Sequence, residues 1–181
     1  MQKRLIIDHH LFQIIVSRLV QELIENHDSF ENTVLLGLQP RGVLFAERIK
    51  HTIQEELGLE IKLGYLDTTF YRDDIRRRKE PPKANETKVN FIIEDKQVIL
   101  IDDVLYTGRT IRAALDAMIA FGRPAKVELL TMINRKYKRH LPIEADYIGK
   151  SVNTLETQRV QVSLRDQGAP EDNIWIIDLE S

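Results

Sequence analysis

The sequence predicts an α/β protein: a parallel sheet with helices on both faces, a small hood region and a long flexible loop. Three observations carry this reading. Residues 33–38 (TVLLGL) and 98–101 (VILI) are short, continuous apolar runs, the pattern of strands buried on both faces rather than strands with one wet face. Each is followed by a turn and then by apolar residues at helical spacing. A further helix and strand repeat the rhythm, and alternating strands and helices build parallel sheets with right-handed crossovers.

In chain order, Leu11, Ile14, Ile15, Leu19, Leu23 and Ile24 recur at helical spacing, which predicts an amphipathic helix over 9–27. Strand 33–38 ends in the turn Gln39-Pro40-Arg41-Gly42 and leads into helix 43–57. Residues 60–68 alternate as a strand. Residues 70–88 are dense in charge, include Pro81-Pro82, and read either as a lid or as a solvated charge run. Strand 98–101 leads to helix 110–121, which Gly122-Arg123-Pro124 ends, and 126–134 is the next buried strand. Short candidate strands at 147–148, 160–164 and 174–177 break the helix rhythm and predict a hood over about 140–181. No repeat or linker divides the 181 residues, so one domain is expected over 1–181.

Composition narrows the class. The 26 basic and 28 acidic residues leave a formal charge of −2, against a generally basic nucleic-acid binder. The absence of cysteine excludes disulfides and thiolate chemistry. Asp8, His9 and His10 interrupt the first apolar run, and no run approaches membrane-spanning length, so a cytoplasmic protein is expected.

The chemistry concentrates after strand 98–101, in Asp102-Asp103-Val104-Leu105-Tyr106-Thr107-Gly108-Arg109-Thr110. Ligands of parallel α/β sheets sit beyond the carboxyl ends of the strands. Two adjacent carboxylates there can accept hydrogen bonds from a cis-diol. Thr-Gly-Arg-Thr opens a helix whose free N–H groups favour a phosphate, with Gly108 letting the backbone close on the anion. A diol beside a phosphate describes a ribose 5-phosphate. The alternative is that Asp102, Asp103 and Thr107 only cap the helix. Neither G-x-G-x-x-G nor G-x-x-x-x-G-K-[ST] is present, which leaves out the usual dinucleotide and P-loop sites.

The stretch VILIDDVLYTGRT resembles the PRPP-binding motif of the type I phosphoribosyltransferases. Over nearly the whole chain, Asp67-Thr68-Thr69-Phe70-Tyr71-Arg72-Asp73-Asp74, DDVLYTGRT, GRPA and the ADYIGK stretch resemble the family of bifunctional pyrimidine operon regulators that are also uracil phosphoribosyltransferases (the PyrR family). The resemblance implies the type I phosphoribosyltransferase fold and transfer of phosphoribose from PRPP to uracil, giving UMP and pyrophosphate. It assigns Asp102 and Asp103 to the ribose hydroxyls, Thr107, Gly108, Arg109 and Thr110 to the 5-phosphate, and Arg41 and Gly42 to the pyrophosphate loop. The 70–88 segment matches the catalytic loop, with Tyr71 and Arg72 touching pyrophosphate. Mg²⁺ is expected through PRPP oxygens and water rather than a protein-only cage.

Purine enzymes of the superfamily carry an acidic residue where Tyr106 stands, so Tyr106 leans toward a pyrimidine. Tyr147 and Ile148 match the region covering the base, although Tyr147 reads equally as a core aromatic. The resemblance also implies a homodimer or higher homo-oligomer. The family's regulators bind RNA, and here residues 133–143 are one residue longer and more basic than the family stretch. Arg135, Lys136, Lys138 and Arg139 surround Tyr137 there, as a candidate RNA patch or a solvated loop.

Overall fold

The computed structural model describes residues 2–73 and 84–179. Strand β1 (Lys3–Ile7) leads to helix α1 (His9–His27), which Asp8 caps: its Oδ1 accepts the Leu11 amide at 2.8 Å. The remaining elements are β2 (Thr33–Leu38), α2 (Arg41–Leu57), β3 (Lys62–Leu66), β4 (Gln97–Leu105), α3 (Arg109–Met118), β5 (Lys126–Lys136), β6 (Tyr147–Asn153), β7 (Gln158–Ser163) and β8 (Asn173–Asp178).

Five strands form one parallel sheet in the order β3-β2-β4-β5-β6. Its centre is apolar on both faces because alternate side chains of one strand feed two cores. Ile99 and Ile101 of β4 point to the core closed by α1 and α2, and Val98 and Leu100 to the core closed by α3. Each fully buried aliphatic of this kind contributes about 1.5–3 kcal/mol. Helix α1 buries Phe12, Ile15, Val16, Leu19, Val20 and Leu23, whereas Ile14, expected on the apolar stripe, faces solvent.

Strands β2 and β4 are neighbours, yet α2 carries the chain outward to β3 and α3 carries it the other way to β5. That reversal opens a crevice at their carboxyl ends.

Two boundaries differ from the sequence reading. Asp102 and Asp103 lie inside β4, which runs on to Leu105 because the parallel ladder with β5 continues through Val104 and Leu105. The hood is a separate antiparallel sheet, β1-β8-β7, which recruits the chain's first strand. Residues 147–153, expected in the hood, are instead edge strand β6 of the large sheet. No described helix is long and apolar enough to cross a membrane.

Candidate active site

At the reversal point a cavity of about 310 Å³ opens between the two sheets. Its floor is the end of β4. Asp103 is buried, and Asp102 directs one carboxylate oxygen back to the Asp103 amide, 2.9 Å away. Asp103 Oδ2 lies 3.0 Å from Arg41 Nε, an ion-pair distance without hydrogen-bond geometry, so a buried acceptor is left without a donor. Desolvation pushes the Asp102 carboxyl well above the usual range, and the neighbouring Asp103 charge adds to it. Asp103 is raised too, again by desolvation, with Arg41 pulling the other way. Neither carboxylate caps α3, whose N-cap is Gly108, while Thr107 Oγ1 accepts the Arg109 amide at 3.4 Å, so the capping alternative holds for Thr107 and is set aside for the two acids.

Gly108 has φ 90°, a left-handed conformation that lets the chain turn directly from β4 into α3. Thr107, Gly108 and Thr110 line the cavity, and the α3 amides open toward it as an anion site. The Arg109 side chain turns away to Asp73 at 2.5 Å and lines no part of the cavity, which leaves its main chain for an anion. Across the crevice Gln39, Pro40 and Arg41 form the opposite wall, and the Gln39-Pro40 bond is cis. Gly42 lies behind this wall. A Cβ there would meet Ile101 O at 2.4 Å, so its role is the close approach of the β2 turn to β4.

Arg72 reaches the cavity and donates to Thr110 Oγ1 at 3.3 Å, whereas Tyr71 lies outside the lining. Asp67 closes the base of the charged segment: Oδ1 accepts the Thr69 amide at 3.2 Å and Oδ2 accepts the Asn85 amide at 3.1 Å. Of the expected catalytic loop, residues 74–83 lie outside the described residues.

Two expected base contacts are corrected. Tyr147 pairs with Leu130 at the start of β6, the end of the sheet remote from the cavity, and is 4% exposed. Its hydroxyl donates to Glu128 Oε1 at 3.2 Å and sits 3.3 Å from His27 Nε2, which itself is 2.8 Å from Glu128 Oε2. Ile148 faces a second recess with Lys136 and Tyr137, on the other side of Arg135. Because β6 runs parallel to β5, residues at its start cannot reach the carboxyl end. Tyr106 does line the cavity.

The basic patch is also smaller than its sequence suggests. Arg135 is 5% exposed, and Arg139 donates to Ile143 O (2.8 Å), Tyr106 O and Asn134 Oδ1, so both serve the interior. Lys136, exposed, and Lys138, paired with Glu156 at 3.2 Å, remain outside with Tyr137. Sequence reasoning missed Arg135, Arg159 and Val160 as cavity residues. Arg135 read as one charge of a surface run, and nothing local placed β7 over the cavity.

A crevice at a sheet reversal, floored by paired carboxylates and flanked by a glycine-opened loop at a helix N-terminus, has the geometry of an α/β ligand site suited to an anion. The phosphoribosyl transferase domain model matches residues 5–167, and the chain belongs to that family. Within it the chain is a member of the PyrR family: the bifunctional protein PyrR of Actinobacillus pleuropneumoniae is 46% identical over 160 residues, 88% of this chain and 89% of that protein. PyrR of Desulfosudis oleivorans is 46% identical over 165 residues, 91% of each. Among solved structures, the Trypanosoma cruzi hypoxanthine phosphoribosyltransferase superposes with a TM-score of 0.73 at 12% identity, over 98% of this chain and 97% of that one. A Staphylococcus aureus hypoxanthine phosphoribosyltransferase gives 0.66 at 18% identity, over 87% and 80%. Both likenesses establish the fold alone.

Two predictions come from this geometry. The raised Asp102 carboxyl makes the folded chain hold more tightly a proton that the unfolded chain gives up, so Asp102→Asn raises the melting temperature of the ligand-free protein at pH 7. The sign follows from a folded-state pKa above the unfolded one: the penalty grows as pH rises from the unfolded value toward the folded one, and the advantage of the variant fades on acidification. A variant no more stable than the parent at pH 7 contradicts this. Tyr147→Phe, by contrast, lowers the melting temperature by a few degrees through loss of a buried bond worth about 1 kcal/mol, and leaves ligand affinity unchanged; weakened ligand binding would return Tyr147 to the site.

Proposed function

We propose that the chain transfers the 5-phosphoribosyl group of PRPP to uracil, releasing UMP and pyrophosphate. The observation that carries this reading is the Asp102–Asp103 pair, half-buried and buried, beside the Gly108 anion loop in one cavity, which suits the two ends of a ribose 5-phosphate. The printed name of the 46%-identical relatives, a bifunctional protein PyrR, supports the pyrimidine. Tyr106 supports it as well, since it lacks the carboxylate with which a purine ring nitrogen would pair.

In this reading Asp102 and Asp103 accept hydrogen bonds from the ribose hydroxyls, and the amides and hydroxyls around residues 107–110 hold the 5-phosphate. Arg41 and Arg72, which both line the cavity, meet the pyrophosphate. Breaking the C1′–O bond develops oxocarbenium character at C1′ and negative charge on the leaving group; the carboxylates and the arginines are placed for these two charges. Leu105 and Val160 border the space and keep water from the cation.

The donor set fits a divalent cation shared with the ligand. The buried Asp103 Oδ2 lacks a hydrogen bond, while no group of three or more His, Asp or Glu among the described residues would hold a metal by itself. Asp102 and Asp103 would hold Mg²⁺ jointly with PRPP oxygens, and the ion would supply charge neutralisation on the leaving pyrophosphate.

A panel of bases incubated with PRPP and Mg²⁺, with pyrophosphate release as the readout, tests the reading. Uracil gives turnover and hypoxanthine, guanine and orotate give little. In the Asp102→Asn, Asp103→Asn double variant turnover falls by about 10²- to 10⁴-fold, the loss of two charge-assisted contacts at roughly 1.5–3 kcal/mol each. Preference for a purine, or near-parental activity of the double variant, contradicts the assignment.

A further inference from the structure

Beside the anion loop the cavity lining holds a buried cation, Arg135, to which no part of the sugar or its phosphates has been assigned. Arg135 ends β5, and its guanidinium carbon lies 3.8 Å from the Tyr106 ring centroid. Nε donates to Thr154 Oγ1 at 2.8 Å, and Nη2 to Gln158 O at 2.9 Å and Leu155 O at 3.3 Å. These partners are all neutral. Among the described residues no carboxylate pairs with Arg135, and its Nη1 has no protein acceptor. A buried guanidinium without a counter-ion is costly, and Nη1, the nitrogen that makes no hydrogen bond among the described residues, is the donor it can offer to a ligand. Arg135 lines the cavity, so the completing group comes from there.

The position of Arg135 says which part of a ligand that is. Residues 107–110 take the phosphate end and Asp102–Asp103 the sugar, with Arg41 and Arg72 at the pyrophosphate wall. What remains is Val104, Leu105, Tyr106, Ile111 and Val160 with two arginines; Arg159 is exposed, so Arg135 is the buried cation of a largely apolar slot. A planar base fits such a slot.

We propose that Arg135, laid against Tyr106, is the residue that recognises the base, donating from Nη1 to a carbonyl oxygen of the pyrimidine. This deepens the uracil reading above and rests on it. During transfer N1 bonds to C1′ as the C1′–O bond breaks with its electron pair leaving on pyrophosphate, and the N1 proton passes to water or to the departing pyrophosphate. Charge withdrawn from N1 in this step spreads to the carbonyl oxygens, where a fixed guanidinium holds it better than water does. Hydrogen bonds to Thr154, Leu155 O and Gln158 O keep the group from swinging to solvent, and they tie base recognition to the start of hood strand β7.

The test is the affinity of UMP relative to ribose 5-phosphate, measured by calorimetry on the whole chain, since the two ligands differ only in the base. In Arg135→Gln the UMP advantage falls by about 10- to 100-fold with ribose 5-phosphate binding unchanged, the range of one charge-assisted bond. Arg135→Lys recovers part of that advantage, which a purely structural arginine would not show. Tyr106→Leu leaves the three Arg135 hydrogen bonds in place, serves if Arg135→Gln fails to fold, and reduces the advantage about tenfold by removing the ring under the cation. An unchanged ratio in a folded Arg135→Gln or in Tyr106→Leu overturns the proposal, as does a parental protein that binds both ligands equally. Absence of uracil turnover in a parental chain that still prefers UMP counts instead against the reaction assigned above.

Discussion

Two carboxylates held side by side at the dry end of a central strand are the constraint on which the rest of the site depends. Asp102 and Asp103 stand where β4 leaves the two apolar cores, with Val98, Ile99, Leu100 and Ile101 behind them fully buried. Their desolvation disfavours ionisation, and Arg41 offsets only part of it. A ligand bringing hydroxyl donors and a cation, as proposed above, would offset this cost. The parallel sheet makes this possible, because its reversal between β2 and β4 sets the Gln39–Gly42 turn and the Thr107–Thr110 loop on facing sides of the pair.

Arginines then hold the loops around that floor. Arg139 gathers Tyr106 O, Asn134 and Ile143 O, fixing the segment after β4 to the end of β5. Arg109 and Arg72 join α3 to the start of the charged segment through Asp73 and Thr110. Arg135 ties the same β5 end to the hood. Phosphate loop, charged segment and hood are therefore mechanically connected through a few side chains near the cavity, so that ordering one part restrains the others.

What was legible in the sequence was local. The run from Val98 to Thr110 carries its strand, its acids and its anion loop within a dozen residues, and both buried strands announced themselves by unbroken apolar character. The parts that escaped depend on partners far along the chain. Strand β1 received no element in the sequence reading, because what orders it is its pairing with β8 at the other end of the chain. Tyr147 sits in a plausible hood sequence, but only the direction of β6 reveals that it faces Glu128 and His27 in the core. Arg135 and Arg139 looked like surface charge because their acceptors are neutral, main-chain carbonyls, the Thr154 hydroxyl and the Asn134 amide oxygen, with no carboxylate nearby in sequence to betray them.

The central claim, that the Asp102–Asp103 pair receives the ribose, is open to direct measurement. Calorimetric titration of ribose 5-phosphate with Mg²⁺ compares the parental chain with the Asp102→Asn, Asp103→Asn double variant under one set of conditions. The double variant binds about 10²- to 10⁴-fold more weakly, the range of two charge-assisted contacts. Equal affinity in the parent and the double variant would contradict the account.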